Sequence, residues 1–492
     1  MNQTKKNLFI ILGPVLFLIM QAIDTPGGMP DAAWDVLSAT LWIALWWVTE
    51  AVPIAVTALL PIVLFPLTGA NDLVSTTASY GHKYIFLYMG GFMLAIAIEK
   101  WGLHKRIALH IISLIGTNVT RIILGFMVAT AFMSMWISNT ATSVMMLPIA
   151  MSIISQLKDN PDTVADENAI FGKALMLSIA YSASIGGIAT LIGTPPNLVL
   201  AGYVQEVYDI EITFFQWLMF GLPISVFLLA ISWYYLTRKA FTFKQKEFPG
   251  GKAEIQRLIA ELGPMKREEK MVLTIFVLTA FAWITRSFFL QKIFPAIDDT
   301  IIAMCAGIAL FCLPAKGSRN LINWEEAVKM PWGIIILFGG GMALAAAFES
   351  SGLAVWLGNS MTLLQFLPLV LLVVLIIASV NFITEMTSNL ATTAMLLPIL
   401  APVAISLGVN PYILMVATTV AASCAFMLPV ATPPNAVVFG SGYLRIPDMI
   451  RTGIWMNIIS IVLLSVFVYF LLPLVWDFDP LSLGQEFVKT TN

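Results

Sequence analysis

The chain has 492 residues, 59% of them hydrophobic and only 11% charged, with a mean hydropathy of +0.88, whereas a soluble protein of this size carries about 25% charged residues. This excludes an ordinary soluble domain and points to a polytopic protein of the lipid bilayer. A net charge of −2 with no basic stripe argues against a nucleic-acid partner. Neither Cys305, Cys312 and Cys424 nor His82, His104 and His110 show disulfide or metal-ligand spacing.

A membrane span needs about 20 apolar residues. MNQTKK and the apolar run to Ile23 read as a retained first helix, because no small-residue cleavage site closes the run. Helix 1 is expected at 7–24, helix 2 at 34–50, helix 3 at 51–69 and helix 4 at 84–102. An apolar stretch at 122–157 is interrupted by Ser138-Asn139-Thr140. Helix 5, at 168–208, is interrupted by Thr194-Pro195-Pro196-Asn197, and helix 6 follows at 213–237. The charged segment 238–270 reads as a cytoplasmic linker with an amphipathic surface helix in AEIQRLIAEL. Helices 7, 8 and 9 fall at 271–290, 297–314 and 332–355. A second interrupted stretch, 361–407, contains Ser388-Asn389-Leu390. Helix 10, at 411–444, is interrupted by Thr432-Pro433-Pro434-Asn435, and helix 11 lies at 453–475.

These interruptions repeat. SNTATSVMMLPI and SNLATTAMLLPI share eight of twelve positions at an offset of 250, and so do GGFMLAIAIEKWGL and GGMALAAAFESSGL at eight of fourteen. The two TPPN motifs lie 238 apart. The arm 122–137 would be only about 24 Å long at 1.5 Å per residue, short against a hydrocarbon core of about 30 Å. Each SNT/SNL stretch therefore reads as a re-entrant hairpin. The fold class is then an all-α polytopic membrane protein: 11 transmembrane helices in two inverted repeats, with two re-entrant hairpins and two broken helices. With the N-terminus in the cytoplasm and the C-terminus outside, every Lys and Arg except Lys83, Arg286, Lys292 and Lys489 falls on the cytoplasmic side.

Inverted repeats with broken helices in matching places point to a secondary transporter and to its binding site. The four polar interruptions are expected to meet near the membrane middle around an anionic solute and its coupling ion. Ser and Asn at a hairpin tip would cap the second arm, and Pro suits the first turn of a new half-helix. Half-helix N-termini favour anions, while freed carbonyls with Ser, Thr and Asn oxygens suit a small hard cation. Glu385 is either a proton or cation site or is tied structurally to a nearby donor, and Glu50 marks the turn between helices 2 and 3. No nucleophile–base constellation, phosphate loop or HExxH is present, so no enzyme activity is expected.

Through MSMWISNTAT, YSASIGGIATLIGTPPN, TEMTSNLATT and SCAFMLPVATPPNAVVFGSG, the chain resembles the divalent anion/sodium symporter family, which includes the INDY-type dicarboxylate transporters. The resemblance runs from about residue 45 to 475. It implies a homodimer in the plasma or inner membrane, in contact with lipid, working by elevator-type alternating access. Scaffold parts would be 1–115 and 271–357, and transport parts 116–237 and 358–476. The linker 238–270 and a tail at 477–492 complete the chain. One sodium site would use Ser134, Ser138, Asn139 and Gly193, and the other Thr384, Ser388, Asn389 and Ala431. Substrate carboxylates would meet Asn139, Thr140, Asn389 and Thr432, with Thr194, Pro195 and Pro433 nearby. Leu390 departs from the pattern by standing where the first half has Thr140. The implied function is sodium-coupled symport of a C4-dicarboxylate such as succinate, fumarate or malate, with sodium as coupling ion and no other cofactor. A sodium-independent exchanger is the alternative, and an anion channel a more distant one.

Overall fold

The computed structural model describes residues 3–116, 118–158, 165–243, 251–317, 319–360 and 366–487. Part of the expected linker (244–250), the start of the second interrupted stretch (361–365) and the end of the tail with Lys489 lie outside the described residues. Among those described the chain is almost wholly helical. The one ribbon pairs Pro314–Ala315 with Arg319–Asn320.

Helix starts follow capping chemistry. Asn118 Oδ1 accepts from Arg121 N at 2.9 Å, Thr213 Oγ1 from Gln216 N at 3.1 Å and Asp298 Oδ1 from Ile301 N at 2.7 Å. Helix 2 runs Asp31–Thr49 and stops at Glu50, which adopts a left-handed φ of 48°. The expected helix 3 is two pieces, Ile54–Thr57 and Leu60–Thr68, because Pro61 fits only a first helical turn.

Nine helices among the described residues are long and apolar enough to cross a membrane. One of them is Asn389–Ser406, the second arm of the second hairpin. The expected helices 3 and 8 (Ile54–Thr68 and Asp299–Cys312) fall short of that length, as do the two halves of helix 10. Length alone therefore does not count the crossings. Buried fraction separates the layers: 83% for Asn168–Ile188, against 11% for Gln3–Gln21 and 28% for Ile446–Trp476. The last two are placed to face lipid.

Both hairpins form as expected, with arms Val119–Ser134 and Asn139–Lys158, and Leu369–Ile383 and Asn389–Ser406. Both broken helices form too: Ala165–Ile188 leads to Pro195–Tyr208, and Pro411–Ala422 to Pro433–Phe439. Their packing is reciprocal. Each incoming half lies against the hairpin of its own repeat, while each outgoing half crosses to the hairpin of the other. Glycines permit the tight crossings: a Cβ on Gly202 would lie 2.5 Å from the Phe338 ring, and one on Gly186 2.3 Å from the Ala131 carbonyl oxygen. The amphipathic segment forms the helix Gly251–Leu262, which rests on Leu103–Ile115 and on the first hairpin. Ser152 Oγ donates to Glu254 Oε1 there at 2.6 Å, and Arg106 pairs with Glu269.

Candidate functional site

The two hairpin tips carry the same small set of contacts. Ser134 Oγ lies 2.6 Å from Asn139 Oδ1 and 2.7 Å from the Ala183 carbonyl oxygen. In the second half, Thr384 Oγ1 lies 2.7 Å from Asn389 Oδ1 and 3.0 Å from the Ala422 carbonyl oxygen. Ser143 and Thr393 each donate to the backbone carbonyl of their hairpin Asn at 2.9 Å. The tips differ in capping. Ser138 Oγ accepts from Ala141 N at 3.3 Å, but Ser388 caps nothing with its side chain. The second tip is instead tied by Thr387 to Thr392 at 2.7 Å.

The breaks are organised by the Asn of TPPN. Asn197 Nδ2 donates to the carbonyls of Gly187 at 3.2 Å and Thr190 at 2.8 Å. At an offset of 238, Asn435 Nδ2 donates to those of Ala425 at 3.2 Å and Leu428 at 3.0 Å. Both Asn residues are fully buried. The Thr and Pro positions, expected near the solute, line the cavity, while the Asn, given no site role in the sequence, does not. The Asn turns inward to hold the broken backbone, and only the Thr and Pro positions reach the cavity. The prolines do start the outgoing halves, Pro195–Tyr208 and Pro433–Phe439, as their missing N–H allows.

Tips and breaks meet around one cavity of about 740 Å³, within the range of small-molecule sites. Asn139, Thr140, Thr194, Pro195, Asn389, Leu390, Thr432 and Pro433 all line it, as do Ser138, Ser388 and Ala431. Ser134, Gly193 and Thr384 stand behind this wall. Ser134 and Thr384 are fully buried, and a Cβ on Gly193 would lie 2.5 Å from the Gly187 carbonyl oxygen. Leu390 is only 5% exposed, so most of its side chain packs inside the hairpin, whereas Thr140 is exposed to the cavity.

Sequence reasoning missed the opposite wall, formed by Glu50, Ile54, Ala55, Pro331, Gly333, Ile334 and Leu337. Of these only Glu50 drew notice, as a turn. Among the described residues, no Lys or Arg lines the cavity, and Glu50 is the one charged residue that does.

The chemistry is that of hard oxygen donors. The terminal Oδ1 position of the Asn139 amide lies 3.2 Å from both the Ala183 and Gly193 carbonyl oxygens and 2.6 Å from Ser134 Oγ. With the amide nitrogen at that position, it donates to the two carbonyls. With the oxygen there, four oxygens converge, which suits a small hard cation. The residues thus fit a sodium ion as cargo. The helices Asn139–Lys158, Pro195–Tyr208 and Asn389–Ser406 begin at the cavity and turn their positive ends toward it.

Glu385, for which two roles were open, is tied structurally. Its Oε1 accepts from Phe426 N at 2.7 Å, Met427 N at 2.9 Å and Asn457 Nδ2 at 2.8 Å. Its Oε2 accepts from Met427 N at 3.1 Å and Leu428 N at 3.0 Å. The carboxylate is buried and bridges the second tip to the second break.

The family model described as the sodium:sulfate symporter transmembrane region matches residues 4–476. A protein named sodium-dependent dicarboxylate transporter SdcS, from Staphylococcus saprophyticus, is 46% identical over 477 residues, 96% of this chain and 92% of that protein. Its namesake from Staphylococcus aureus strain USA300 is 47% identical over the same shares. Among solved structures, the YdaH transporter of Alcanivorax borkumensis aligns with a TM-score of 0.56 at 12% identity, over 83% of this chain and 89% of its own. The Neisseria gonorrhoeae protein MtrF aligns at 0.54 and 13% identity, over 94% and 95%. At such identities these two speak for the fold alone. The family match along nearly the whole chain, with relatives at this identity, places the chain in the sodium:sulfate symporter family, the divalent anion/sodium symporters.

Proposed function

We propose that this chain is a sodium-coupled symporter of C4-dicarboxylates. The observation that carries the reading is the duplicated oxygen cluster, Ser134/Asn139/Ala183/Gly193 and Thr384/Asn389/Ala422, set behind the two hairpin tips of one cavity. Two cations there would supply the positive charge that the lining lacks, and a dianion spanning Asn139–Thr140 and Asn389–Thr432 would sit between them. Each hairpin Asn would then serve a cation through its side chain and a carboxylate from the same helix start. The names of the relatives point to sodium and a dicarboxylate as well.

The same reading makes 116–237 and 358–476 the moving transport part and 1–115 and 271–357 a scaffold that pairs with a second copy. It places the N-terminus in the cytoplasm and the C-terminus outside, with eleven crossings. The cavity wall at Glu50, Ile54, Pro331 and Gly333 then lies on the cytoplasmic side, which makes this the inward-open state of an elevator. Binding of labelled succinate to the purified protein in sodium and in choline, for wild type, Asn139→Ala and Asn389→Ala, tests the shared-ligand arrangement. Sodium-dependent binding in wild type and its loss in both variants is expected. Strong sodium-dependent binding in either variant would sink the arrangement.

A further inference from the structure

Beyond the hairpins, the halves repeat a corner. Trp47-Val48-Thr49-Glu50 and Trp283-Ile284-Thr285-Arg286 lie 236 residues apart at the ends of Asp31–Thr49 and Arg267–Thr285. Their hydrogen bonds match. Trp47 Nε1 donates to the Ile54 carbonyl at 3.3 Å, and Trp283 Nε1 to the Asp299 carbonyl at 3.0 Å. Thr49 Oγ1 donates to the Leu45 carbonyl at 2.7 Å, and Thr285 Oγ1 to that of Phe281 at 2.8 Å. Glu50 and Arg286 are therefore structural counterparts of opposite charge.

The two corners are in opposite conditions. Arg286 is fully buried and clamped between two carboxylates, Nη1 to Glu211 Oε1 at 3.0 Å and Nε to Asp299 Oδ1 at 3.1 Å. Glu211 belongs to the segment that joins the first outgoing half-helix to Phe214–Tyr235, and Phe214 N donates to Asp299 Oδ2 at 2.8 Å. Lys83 Nζ stands 3.8 Å from Glu211. Trp136, from the first hairpin tip, stacks on Phe214 at 5.9 Å and Trp283 at 6.4 Å and meets Phe276 edge-on at 5.1 Å. The corner of Arg286 is thus docked onto the first repeat's hairpin and broken helix.

At the other corner no matching ion pair forms among the described residues. Glu50 is exposed on the cavity wall. Met386, the counterpart of Trp136 at offset 250, is 78% exposed. The matching joining segment, from the second outgoing half-helix to Ile446–Val466, ends in Arg445, which holds the N-cap position that Thr213 holds in the first half. Arg445 is exposed, and neither it nor Glu50 forms an ion pair among the described residues.

We propose that the corners are reciprocal latches: Arg286 with Glu211 and Asp299 closes the outer side in this state, and Glu50 with Arg445 closes the inner side in the opposite one. The proposal rests on the elevator reading above. When the transport part moves outward, Glu211 leaves Arg286, and Arg445 rises to the level of Glu50 as Glu211 now stands to Arg286. The outer latch sets a buried carboxylate, Asp299, and a part-exposed one, Glu211, against one buried Arg, while the inner latch is a single exposed pair, so the set favours the inward-open state. A buried charge left without its partner is strongly unfavourable, so losing Arg286 releases the outer side.

The test uses a chain with Cys305, Cys312 and Cys424 replaced by Ala. Cysteines are placed at Glu50 and Arg445 together, or singly at Val430, which is 81% exposed in the cavity. Positions 50 and 445 are exposed here, so their replacement disturbs no packing. Cross-linking of 50 to 445 in membranes is expected, with a yield that rises roughly tenfold when Arg286→Gln is added, the shift that about 1.4 kcal/mol gives. Outside labelling of Val430→Cys should rise in parallel. Outside labelling of Val430→Cys with no 50–445 cross-link would overturn the latch and leave the elevator reading standing. Absence of outside labelling under every sodium and substrate condition would overturn the elevator reading, and the latch with it. As a second measure, Glu50→Arg and Arg445→Glu should each slow uptake and their combination restore it. A combination no better than the worse single variant would overturn the pairing.

Discussion

Replacing Glu385 by Gln separates a positioning role from a ligand role. The carboxylate receives five contacts from four donors: the N–H groups of Phe426, Met427 and Leu428 and the Asn457 amide. Gln keeps one acceptor oxygen, which can serve Phe426 N, Met427 N and Asn457 Nδ2. Its NH2 then faces Leu428 N and the second Met427 contact, where Oε2 now accepts at 3.0 and 3.1 Å. The Leu428 bond to a charged group is lost, and the shared Met427 bond keeps only one of its two acceptors. Together these cost about 3 kcal/mol, the upper end of the range of about 1.5–3 kcal/mol for a hydrogen bond to a charged group. The break they hold also presents the Ala422 carbonyl to Thr384 and the Leu428 carbonyl to Asn435. Loosening it should therefore reach the second oxygen cluster. If a third to a half of the loss is felt there, the sodium concentration for half-maximal uptake rises roughly tenfold, since about 1.4 kcal/mol is a factor of ten. The assay is sodium activation of labelled succinate uptake in proteoliposomes, with a thermal melt of the same detergent-purified variant. A right-shifted sodium curve with a cooperative but lowered melt is expected. A sodium curve within about twofold of wild type would refute the coupling from Glu385 through the break to the second oxygen cluster.

Three further outcomes follow from the site. Thr140→Ala removes an exposed hydroxyl at the first helix start and should weaken apparent affinity for every dicarboxylate by roughly tenfold, read by competition against labelled succinate. In the same series Leu390→Thr should alter the ranking among succinate, malate and bulkier acids only mildly, because Leu390 is 5% exposed; a complete loss of transport would contradict this. Gly193→Ala drives a Cβ to 2.5 Å from the Gly187 carbonyl oxygen and should abolish sodium-stimulated uptake, while Ala431→Gly, at the matching position that already carries a Cβ, should retain it.

The parts of the site legible in the sequence are those where polar residues interrupt apolar runs. Ser138-Asn139 and Ser388-Asn389 stand out because adjacent polar residues interrupt long apolar runs, and the 250-residue echo makes them a pair. Thr194-Pro195 and Thr432-Pro433 are equally visible, because Pro fixes where a half-helix begins. The direction of the TPPN Asn was not legible. A side chain at N3 of a new half-helix can face either the cavity or the break, and tertiary packing chose the break. The opposite wall of Ile54, Gly333, Ile334 and Leu337 carried no signal at all, since apolar residues in an apolar chain look alike whether they face lipid, core or solute. The Trp–Thr corner was hidden for a different reason. It keeps two identities in four at an offset of 236, not 250, and the pairing emerges only from the matched hydrogen bonds. Glu385 was ambiguous because a buried carboxylate flanked by apolar residues has the same sequence signature whether it binds a cation or three backbone N–H groups.

If the two oxygen clusters couple sodium to one dicarboxylate, uptake must follow the sodium gradient and need no counter-substrate. The most direct measurement is uptake of labelled succinate into proteoliposomes holding the purified protein, with and without an inward sodium gradient, and with and without internal dicarboxylate. Uptake that requires the sodium gradient and proceeds without any internal counter-substrate is the predicted result. Uptake that ignores sodium and appears only with dicarboxylate inside would rule out sodium coupling and make the chain an exchanger.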